Sequence, residues 1–587
     1  MEHLRNFLLR QNNIEVYSAV LAFLGSPQKD LIDEIVLQCP SEIQDEMAKK
    51  LDMVYQLFKN ERTVYENEYR LGQAVIWQEV LIAYKRISNA IAKIQVISLH
   101  PDTTNYAQSS KEIYKLLCIY SEMQIALSNL EQVLGVDRFL DRISGSTFDV
   151  LDDLVCNAKR VIEAKSLNYK EAFQKIWNTT NVNKLIRHKL LAPNTENQVC
   201  DLSTSNCKQV LLFIIDGFGF SQYLWNRSLD SNRTNFTFNE NIFSWLSRNN
   251  LSKENILGSS YVTDTGAGLA QIYLGQKSGE TGIIASKIRK RNDSTNFYPT
   301  KSILPNEFDA LFSYKNSITD LIVLGGASSK IYYCSKYKDP PSGFSKCIFK
   351  SAEIVPLLPP ERVFSVLMDD IEENANGGLQ VVYLTGIDNS GHTMGAYSNF
   401  ERFEHQKIGY LFRNFLIELA NIYPNLFDGE RSIIITADHG MFESSKNVVD
   451  RKEIVDYLFS GGIKRVKFVE NNRAMLVYNE GYSSNIEVKT ALQEYFNMKH
   501  LQVDIQDESS GAFAACFEGC NENIKPDLIM RFIGEGLFYT SAQINEHLLH
   551  FGGHGGNSVD EVFVPLIEIP LSKELLKEIE KRFISRK

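Results

Sequence analysis

The chain has 587 residues, of which 44% are hydrophobic and 23% charged, and these proportions are ordinary for a globular protein with a large core. A formal net charge of −10 argues against broad coating of nucleic acid. The nine cysteines are scattered, no apolar stretch reaches the length of a bilayer span, and the N-terminus lacks the pattern of a signal peptide. We therefore expect a cytoplasmic protein with reduced thiols, more than one domain and no membrane contact.

Residues 1 to about 195 are predicted to form an all-helical bundle or an array of helical hairpins. Apolar residues recur at helical spacing along Thr63–Leu99 and Tyr106–Gly135, and almost no Gly or Pro interrupts these segments. This region shows no cluster of metal ligands and no nucleophile with a base, so a structural or partner-binding role is expected. The polar, turn-rich segment Ala192–Asn206 predicts a domain boundary near residues 195–205.

From Lys208 onward, apolar strand-like segments alternate with helical patterns. The strand-like segments are Val210–Ile215, Leu321–Leu324, Val381–Leu384, Ser432–Thr436 and Val562–Ile569, and helical patterns occupy Pro360–Asn374 and Phe400–Tyr423. This alternation predicts an α/β domain over residues 205–570, with a mostly parallel sheet flanked by helices. Less regular sequence near residues 278–350 and 447–546 predicts cap insertions, and residues 571–587 are predicted to form a C-terminal helical tail.

Acidic and imidazole side chains follow several of these predicted strands. They are Asp216, the pair Asp388 and His392, the adjacent pair Asp438 and His439, and His554 in a glycine-rich loop before the last strand. Open α/β sheets bind ligands at the carboxyl ends of their strands. Carboxylate and imidazole together suit Zn²⁺ or Mn²⁺. One Asp–His pair is weak support, but the combined set predicts a metal site at one edge of the sheet.

Thr265 is the candidate nucleophile. It lies where the loop from Tyr261 meets an apolar helical pattern that runs to Leu274. Backbone N–H groups and the dipole at the start of a helix favour an anion such as phosphate. A simple helix cap is the alternative interpretation of Thr265 alone.

In order and approximate spacing, this set of residues resembles the alkaline phosphatase superfamily, over about residues 205–570. The run Thr263-Asp-Thr265 is similar to the nucleophile segment of alkaline phosphatases. The other motifs resemble the nucleotide pyrophosphatase/phosphodiesterase branch and PglZ domains, and they are Thr265-x-x-Gly268-x-Ala270, Thr436-Ala-Asp-His-Gly440 and His554-Gly-Gly-x-Ser558-x-x-Glu561. PglZ domains are commonly linked to bacterial phage-defence and signalling proteins.

The resemblance implies a site with two divalent metal ions, Zn²⁺ or alternatively Mn²⁺. Asp388, His392 and His554 would hold one ion, and Asp216, Asp438 and His439 would hold the other, with Thr265 as a further ligand. The second ion would lower the pKa of the Thr265 hydroxyl for attack on phosphorus, and the first would later activate the water that releases the phospho-enzyme. Two ions about 4 Å apart would clamp the in-line displacement. Ser558 and Glu561 would support the His554 loop.

The resemblance leaves the substrate class open. Gly266–Gly268 offers no side-chain donor where nucleotide phosphodiesterases usually place an Asn, and no Arg aligns with the one that alkaline phosphatases use for a monoester. The basic run of Lys287, Arg289, Lys290 and Arg291 is either a contact for a phosphate or nucleic-acid substrate or a solvated surface.

The favoured function is a phosphodiesterase that acts on a nucleotide or oligonucleotide, in phage defence or signalling. One alternative is a phosphomonoesterase, sulfatase or phosphonate hydrolase of the same fold. The other is a ligand-sensing scaffold whose helical domain binds a protein partner. The oligomeric state is not predicted.

Overall fold

The structure is a computed structural model that describes most of the chain. The described residues are 29–37, 68–97, 104–134, 149–191, 207–228, 241–291, 295–299, 311–334, 348–355, 359–373, 377–443, 447–545 and 550–584, with the isolated residues 41, 44–45, 47–49, 52, 99 and 344. The predicted domain boundary near residues 195–205 therefore lies outside the described residues. No helix among the described residues combines the length and the apolar character needed to cross a bilayer.

Helices and strands alternate from residue 209 onward, as the sequence predicts. The helices are α1 Lys29–Leu37, α2 Glu68–Val96, α3 Tyr106–Leu134, α4 Asp149–Lys175, α5 Thr180–Leu190, α6 Phe220–Ser228, α7 Ile242–Arg248, α8 Thr265–Leu274, α9 Ser278–Thr281, α10 Ile318–Leu324, α11 Pro360–Glu373, α12 Gly386–Met394, α13 Asn399–Ile422, α14 Arg451–Ser460, α15 Asn485–Met498, α16 Gly511–Phe517, α17 Ser541–Asn545, α18 Val559–Val562 and α19 Lys573–Ile579. The strands are β1 Gln209–Ile215, β2 Lys253–Gly258, β3 Ile288–Lys290, β4 Thr295–Phe297, β5 Ser328–Cys334, β6 Glu353–Val355, β7 Gly378–Leu384, β8 Arg431–Thr436, β9 Phe442–Glu443, β10 Val448–Asp450, β11 Val466–Asn471, β12 Ala474–Asn479, β13 Val503–Asp507, β14 Leu528–Phe532, β15 Leu537–Tyr539, β16 Gly552–Gly553 and β17 Phe563–Pro570.

The main sheet has the strand order β2-β17-β8-β1-β7-β5-β6. Strand β1 lies at its centre and pairs in parallel with β7 on one side and β8 on the other. The strand β17 runs antiparallel to both of its neighbours. Every residue of β1, β7 and β8 is buried, as expected of strands covered on both faces. The predicted α/β fold with a mostly parallel sheet flanked by helices is confirmed.

The prediction of a strand at Leu321–Leu324 is wrong. These residues form the end of helix α10, whose N-cap Ser317 accepts a hydrogen bond from the Asp320 backbone N–H. The sheet strand in this region is β5, which begins four residues later at Ser328 and pairs with β7. Four apolar residues in a row are compatible with a buried strand or with a short helix, and here the cap and Gly325 decide for the helix.

A second sheet lies between residues 466 and 532. Its strand order is β11-β12-β14-β13, all antiparallel. Helices α14 and α15 pack on this sheet, and buried side chains such as Leu458, Leu492 and Met530 give it a hydrophobic core of its own. The less regular sequence of residues 447–546 thus contains a small sheet-and-helix layer.

The chain divides into two compact units. One comprises residues 1–98 and 118–162, and the other comprises residues 99–117 and 163–587. The division falls inside helix α4, so the C-terminal part of α4 and all of α5 belong to the unit that contains the main sheet. Within that unit Asn183 of α5 donates hydrogen bonds to the carbonyls of Ile272 and Tyr273 at the end of α8.

Candidate metal centre

Three neighbouring strands of the main sheet deliver the acidic and imidazole side chains to one edge. Asp216 follows β1, while Asp438 and His439 follow β8. Helix α12 follows β7 and carries Asp388 and His392 one turn apart. Because β7, β1 and β8 are adjacent and parallel, their carboxyl ends meet at the same edge of the sheet.

Two glycines allow these elements to approach closely. A Cβ at Gly268 on α8 would lie 2.5 Å from the carbonyl oxygen of Asp438, so any side chain there would push the helix away from the end of β8. Gly217 has φ +74°, and a Cβ there would lie 3.0 Å from the Cα of Asp388. Glycine adopts this left-handed conformation without the steric cost that other residues meet.

The first cluster consists of Asp216, Asp438 and His439, all buried, whose ligand atoms lie within 4.8 Å of one another. The Nε2 atom of His439 is 3.4 Å from Asp216 Oδ1 and 3.8 Å from Asp438 Oδ2. The hydroxyl of Thr265 lies 2.9 Å from the same nitrogen. Thr265 is the first residue of α8, and its neighbour Asp264 caps the helix by accepting from the Gly266 N–H. The candidate nucleophile therefore lies directly beside a candidate ligand nitrogen.

The second cluster is centred on Asp388. Its Oδ1 is 3.3 Å from Nε2 of His392 and 3.8 Å from Nε2 of His554. Asp388, His439 and His554 also place their ligand atoms within 4.8 Å of one another, and the rings of His439 and His554 stack with centroids 3.9 Å apart. His439 thus adjoins both clusters, whereas the family resemblance implied that it holds one ion only.

The three histidines present the same ring nitrogen to the site. Each Nδ1 lies 3.0–3.1 Å from a backbone carbonyl: that of Gly552 for His392, Gly440 for His439 and Thr263 for His554. A carbonyl only accepts, so Nδ1 carries a proton in each ring. In a neutral ring the lone pair of Nε2 then faces the cluster, which is how metal-binding histidines are oriented by their outer contacts.

The donor set fits divalent ions. Three carboxylate oxygens, Asp216 Oδ1, Asp388 Oδ1 and Asp438 Oδ2, are buried and have no hydrogen-bond partner among the described residues. These same oxygens point at the histidine Nε2 atoms, so lone pairs face lone pairs. A cation between them would satisfy both groups, and carboxylate with imidazole is the donor set of Zn²⁺ and Mn²⁺.

The pKa values of several ligand side chains are shifted by burial and by the closeness of acidic groups. Burial, followed by the charges of Asp388 and Asp438, raises the pKa of Asp216 well above its ordinary value. Burial is also the main cause that raises the pKa of Asp438 to about 6. Burial lowers the pKa of His392, but the adjacent Asp388 outweighs burial and raises it overall. His392 in turn lowers the pKa of Asp388, so each of the two groups favours the charged form of the other.

The clusters open into a cavity of about 400 Å³. Thr265, Asp216, Asp388, His392 and His554 lie on its wall. The wall also includes aromatic side chains, among them Tyr273, Tyr298, Tyr333, Phe344 and Phe349. The cavity thus combines the charged groups of the clusters with aromatic side chains.

The structure places the residues of the basic run in different surroundings. Lys287 lines the cavity and forms an ion pair with Glu470, which lines it too. Arg289 forms an ion pair with Glu480, at 2.9 Å. Arg291 pairs with Asp527 at 2.7 Å and also donates to the carbonyl of Lys525. Neither arginine is among the described residues that line the cavity, so only Lys287 of the predicted substrate contacts lies at the site.

Besides the aromatic wall, two residues beside the ligand clusters were not predicted from the sequence. The hydroxyl of Tyr383, the penultimate residue of β7, donates a hydrogen bond to Asp216 Oδ2 and fixes that carboxylate. His550 lies on the cavity wall with its ring centroid 4.6 Å from that of His392. Because successive side chains of a strand point to opposite faces of the sheet, the sequence could have assigned Tyr383 to one face. No pattern in the sequence identified Asp216 as its partner.

No family model matches the chain, and no curated protein sequence is similar to it. Among solved structures, murine and human ectonucleotide pyrophosphatase/phosphodiesterase 5 are similar to it at 14% identity, with TM-scores of 0.44 and 0.43, over 61% of this chain and 87% of theirs. Phosphonoacetate hydrolase from Sinorhizobium meliloti 1021, in complex with phosphonoformate, is similar at 14% identity and a TM-score of 0.45, over 62% of this chain and 90% of its own. The first two bear the name of the branch that the sequence motifs resemble, but at this distance any function must follow from the side chains of the site itself.

Proposed function

We propose that the protein is a two-metal-dependent hydrolase of phosphoric esters and that its substrate is a diester of the nucleotide or oligonucleotide type. The observation that carries the proposal is the position of the Thr265 hydroxyl, 2.9 Å from His439 Nε2 and at the start of helix α8. A threonine at this place adjoins the ligand cluster and lies where backbone N–H groups favour a phosphate oxygen.

Asp216, Asp438 and His439 would hold one ion, and Asp388, His392 and His554 would hold the other. Divalent ions bound there would stabilise negative charge on the phosphoryl oxygens and lower the pKa of a neighbouring hydroxyl. Oγ1 of Thr265 loses its proton and attacks phosphorus, and the bond from phosphorus to the leaving alcohol breaks as that oxygen takes up a proton. Water then cleaves the bond between phosphorus and Thr265 Oγ1, which releases the phosphomonoester and restores the threonine hydroxyl. Asp264 holds the start of α8 in place, because it accepts hydrogen bonds from both the Gly266 N–H and the Ser286 hydroxyl.

The charges around the cavity favour a diester. A monoester dianion needs more cationic partners than a diester monoanion does. Lys287 is the one Lys or Arg among the described residues of the cavity wall, and its charge is balanced by Glu470. The aromatic wall suits a flat organic group such as a nucleobase, because every base presents a face for stacking.

The test is a comparison of substrates. Purified protein loaded with Zn²⁺ or Mn²⁺ should hydrolyse bis-p-nitrophenyl phosphate and a dinucleotide faster than p-nitrophenyl phosphate and p-nitrophenyl sulfate, and chelation should stop the reaction. Faster turnover of the monoester or sulfate would reject the diester assignment. Two bound ions without hydrolysis of any ester would instead support a ligand-sensing scaffold.

We also infer a cellular context from the PglZ resemblance, namely phage defence or signalling in which the N-terminal helical unit binds a protein partner. Phage plaque counts on cells that express the wild type or Thr265→Ala test the defence role. Equal counts on both would remove the link between the site and defence.

A further inference from the structure

Helix α4 carries a buried ion pair two turns apart on one face. Lys170 Nζ lies 2.8 Å from Glu163 Oε2, and the two side chains are 1% and 7% exposed. Burying such a pair costs several kcal/mol of desolvation per ion, and good geometry with additional hydrogen bonds is needed to offset that cost. The partners of these extra hydrogen bonds therefore indicate what the pair is for.

Both members of the pair bind the backbone of the loop that follows His554. Lys170 Nζ donates to the carbonyl of Asn557 at 2.6 Å. Glu163 Oε1 accepts from the backbone N–H of Val559 at 2.9 Å. Residues 554–558 have no helix or strand of their own, so no ladder of backbone hydrogen bonds fixes them.

The opposite side of this loop is held by other contacts. Glu561 accepts from the Gly556 N–H at 2.7 Å and pairs with the buried Arg473 at 2.9 Å. Thr263 Oγ1 accepts from the Gly555 N–H at 3.0 Å and donates to the Gly556 carbonyl at 3.0 Å. These contacts hold the first half of the loop. Its second half is held by Glu163 and Lys170 together with Glu561, which accepts from the Ser558 N–H, and the Phe532 carbonyl, which accepts from the Asn557 N–H at 2.8 Å.

We propose that Glu163 and Lys170 are positioning residues for the metal ligand His554. The proposal rests on the metal-binding role given to His554 above. The pair binds both ends of the segment Asn557–Val559. These contacts help to hold the loop in the position where His554 Nε2 lies 3.8 Å from Asp388 Oδ1. Outer contacts of this kind typically change metal affinity about 10- to 100-fold when they are removed.

The decisive variant is Glu163→Leu with Lys170→Met. It removes both charges together, so no unpaired ion stays buried and the fold is expected to hold. Metal binding is measured by titration of the metal-free protein with Zn²⁺ and by metal analysis after dialysis. We expect the site of Asp388, His392 and His554 to weaken about 10- to 100-fold, while the other site keeps its wild-type affinity. The variant His554→Ala is expected to weaken the same site.

The matched control is the buried pair of Lys189 and Glu568, at 2.6 Å, which joins α5 to β17 and contacts Cys207 and Ser432 rather than Asn557 or Val559 in the described residues. Lys189→Met with Glu568→Leu should keep wild-type affinity at both sites. If the loop variant also binds both ions like the wild type, the proposal is wrong. If the wild type itself binds no ion, the proposed function fails and this inference fails with it.

A second design covers the case in which the double variant does not fold. Glu163→Gln with Lys170→Met keeps an acceptor for Val559 while it removes both charges. Its affinity at the weakened site should lie between those of the wild type and His554→Ala. Wild-type affinity in this folded variant would also overturn the positioning role of Lys170.

Discussion

The two ligand clusters are built in different ways. Asp216, Asp438 and His439 follow the adjacent central strands β1 and β8 directly, and all three are fully buried. Asp388 and His392 lie on the short helix α12, and His554 lies in an irregular loop. The side chains of Asp388 and His392 are 14% and 16% exposed, whereas that of His439 is 0% exposed.

The two clusters therefore differ in what keeps their ligand side chains in place. The first cluster inherits its geometry from the hydrogen-bond ladder of the sheet, which is hard to distort. The second depends on individual contacts from side chains far away in the sequence, such as those of Glu163 and Glu561. We therefore expect the first cluster to hold its ion more tightly and to keep its shape when single contacts are removed.

The largest effect is expected at Thr265, which adjoins the rigid cluster. Thr265→Ala should lower kcat by about a thousandfold or more, because the attacking oxygen is lost. Thr265→Ser keeps a hydroxyl and should retain measurable turnover. Thermal unfolding should be unchanged in both variants, and both should still bind two ions at saturating Zn²⁺, because Asp216, Asp438 and His439 remain to hold the ion beside Thr265. Wild-type activity of Thr265→Ala in the bis-p-nitrophenyl phosphate assay would show that another group attacks phosphorus.

The next largest effect is expected when one carboxylate of each cluster is replaced, which compares the two clusters directly. Asp216→Asn and Asp388→Asn should each leave about one bound ion per chain and lower kcat/KM by about a hundredfold or more, since both ions act on the same phosphoryl group. The chelator concentration that removes the remaining ion should be at least about tenfold higher for Asp388→Asn than for Asp216→Asn. The reason is that the strand ends hold the ligands of the ion that Asp388→Asn keeps. Equal chelator resistance of the two variants would remove the distinction between the clusters.

A smaller effect concerns the stability of the metal-free protein. Burial raises the pKa of Asp438 to about 6, above the value of about 3.9 for an unfolded chain. The stability contributed by a carboxyl with a raised pKa is fully present below about pH 4 and is lost as the pH rises through 6. Asp438→Asn has no carboxyl to ionise and avoids this loss. The free energy of unfolding of the metal-free variant, minus that of the metal-free wild type, should therefore be about 1–3 kcal/mol larger above pH 6 than at pH 4. Urea unfolding at both pH values measures it, and an equal difference at both would contradict the burial of an ionised Asp438.

The smallest effects are expected in the basic run. Lys287→Gln should raise KM about tenfold, because Lys287 is on the cavity wall. Arg291→Gln should change KM less than about twofold, since Arg291 is engaged with Asp527 and the Lys525 carbonyl. A larger change in KM for Arg291→Gln than for Lys287→Gln would mean that the substrate extends beyond the cavity.

Much of the sheet could be predicted because its central strands β1, β7 and β8 are mostly apolar and are followed within four residues by ligand residues. Asp216, Asp388 and Asp438 mark the ends of β1, β7 and β8, so pattern and position supported each other. Leu321–Leu324 lacked such a marker, and the cap at Ser317 decided its structure instead. Local apolar content alone therefore did not distinguish a strand from a helix.

The supporting contacts could not be predicted because their partners lie far apart along the chain. Lys170 and Asn557 are 387 positions apart, and Tyr383 meets Asp216 only because β7 and β1 are neighbours. No spacing rule links such residues. The aromatic wall was missed for the same reason, since Tyr298, Phe349 and Tyr273 come from three separate segments.

Residues 163–190 also limit how this protein can be recombined with others. Lys170 holds the His554 loop, Thr179 bonds Gln271 of α8 at 2.7 Å, and Asn178 pairs with Gly258 of β2. A catalytic fragment that starts after residue 195 would leave these polar groups without partners and open the sheet edge at β2. We expect that a functional exchange of N-terminal regions, by evolution or in the laboratory, requires a junction upstream of Glu163.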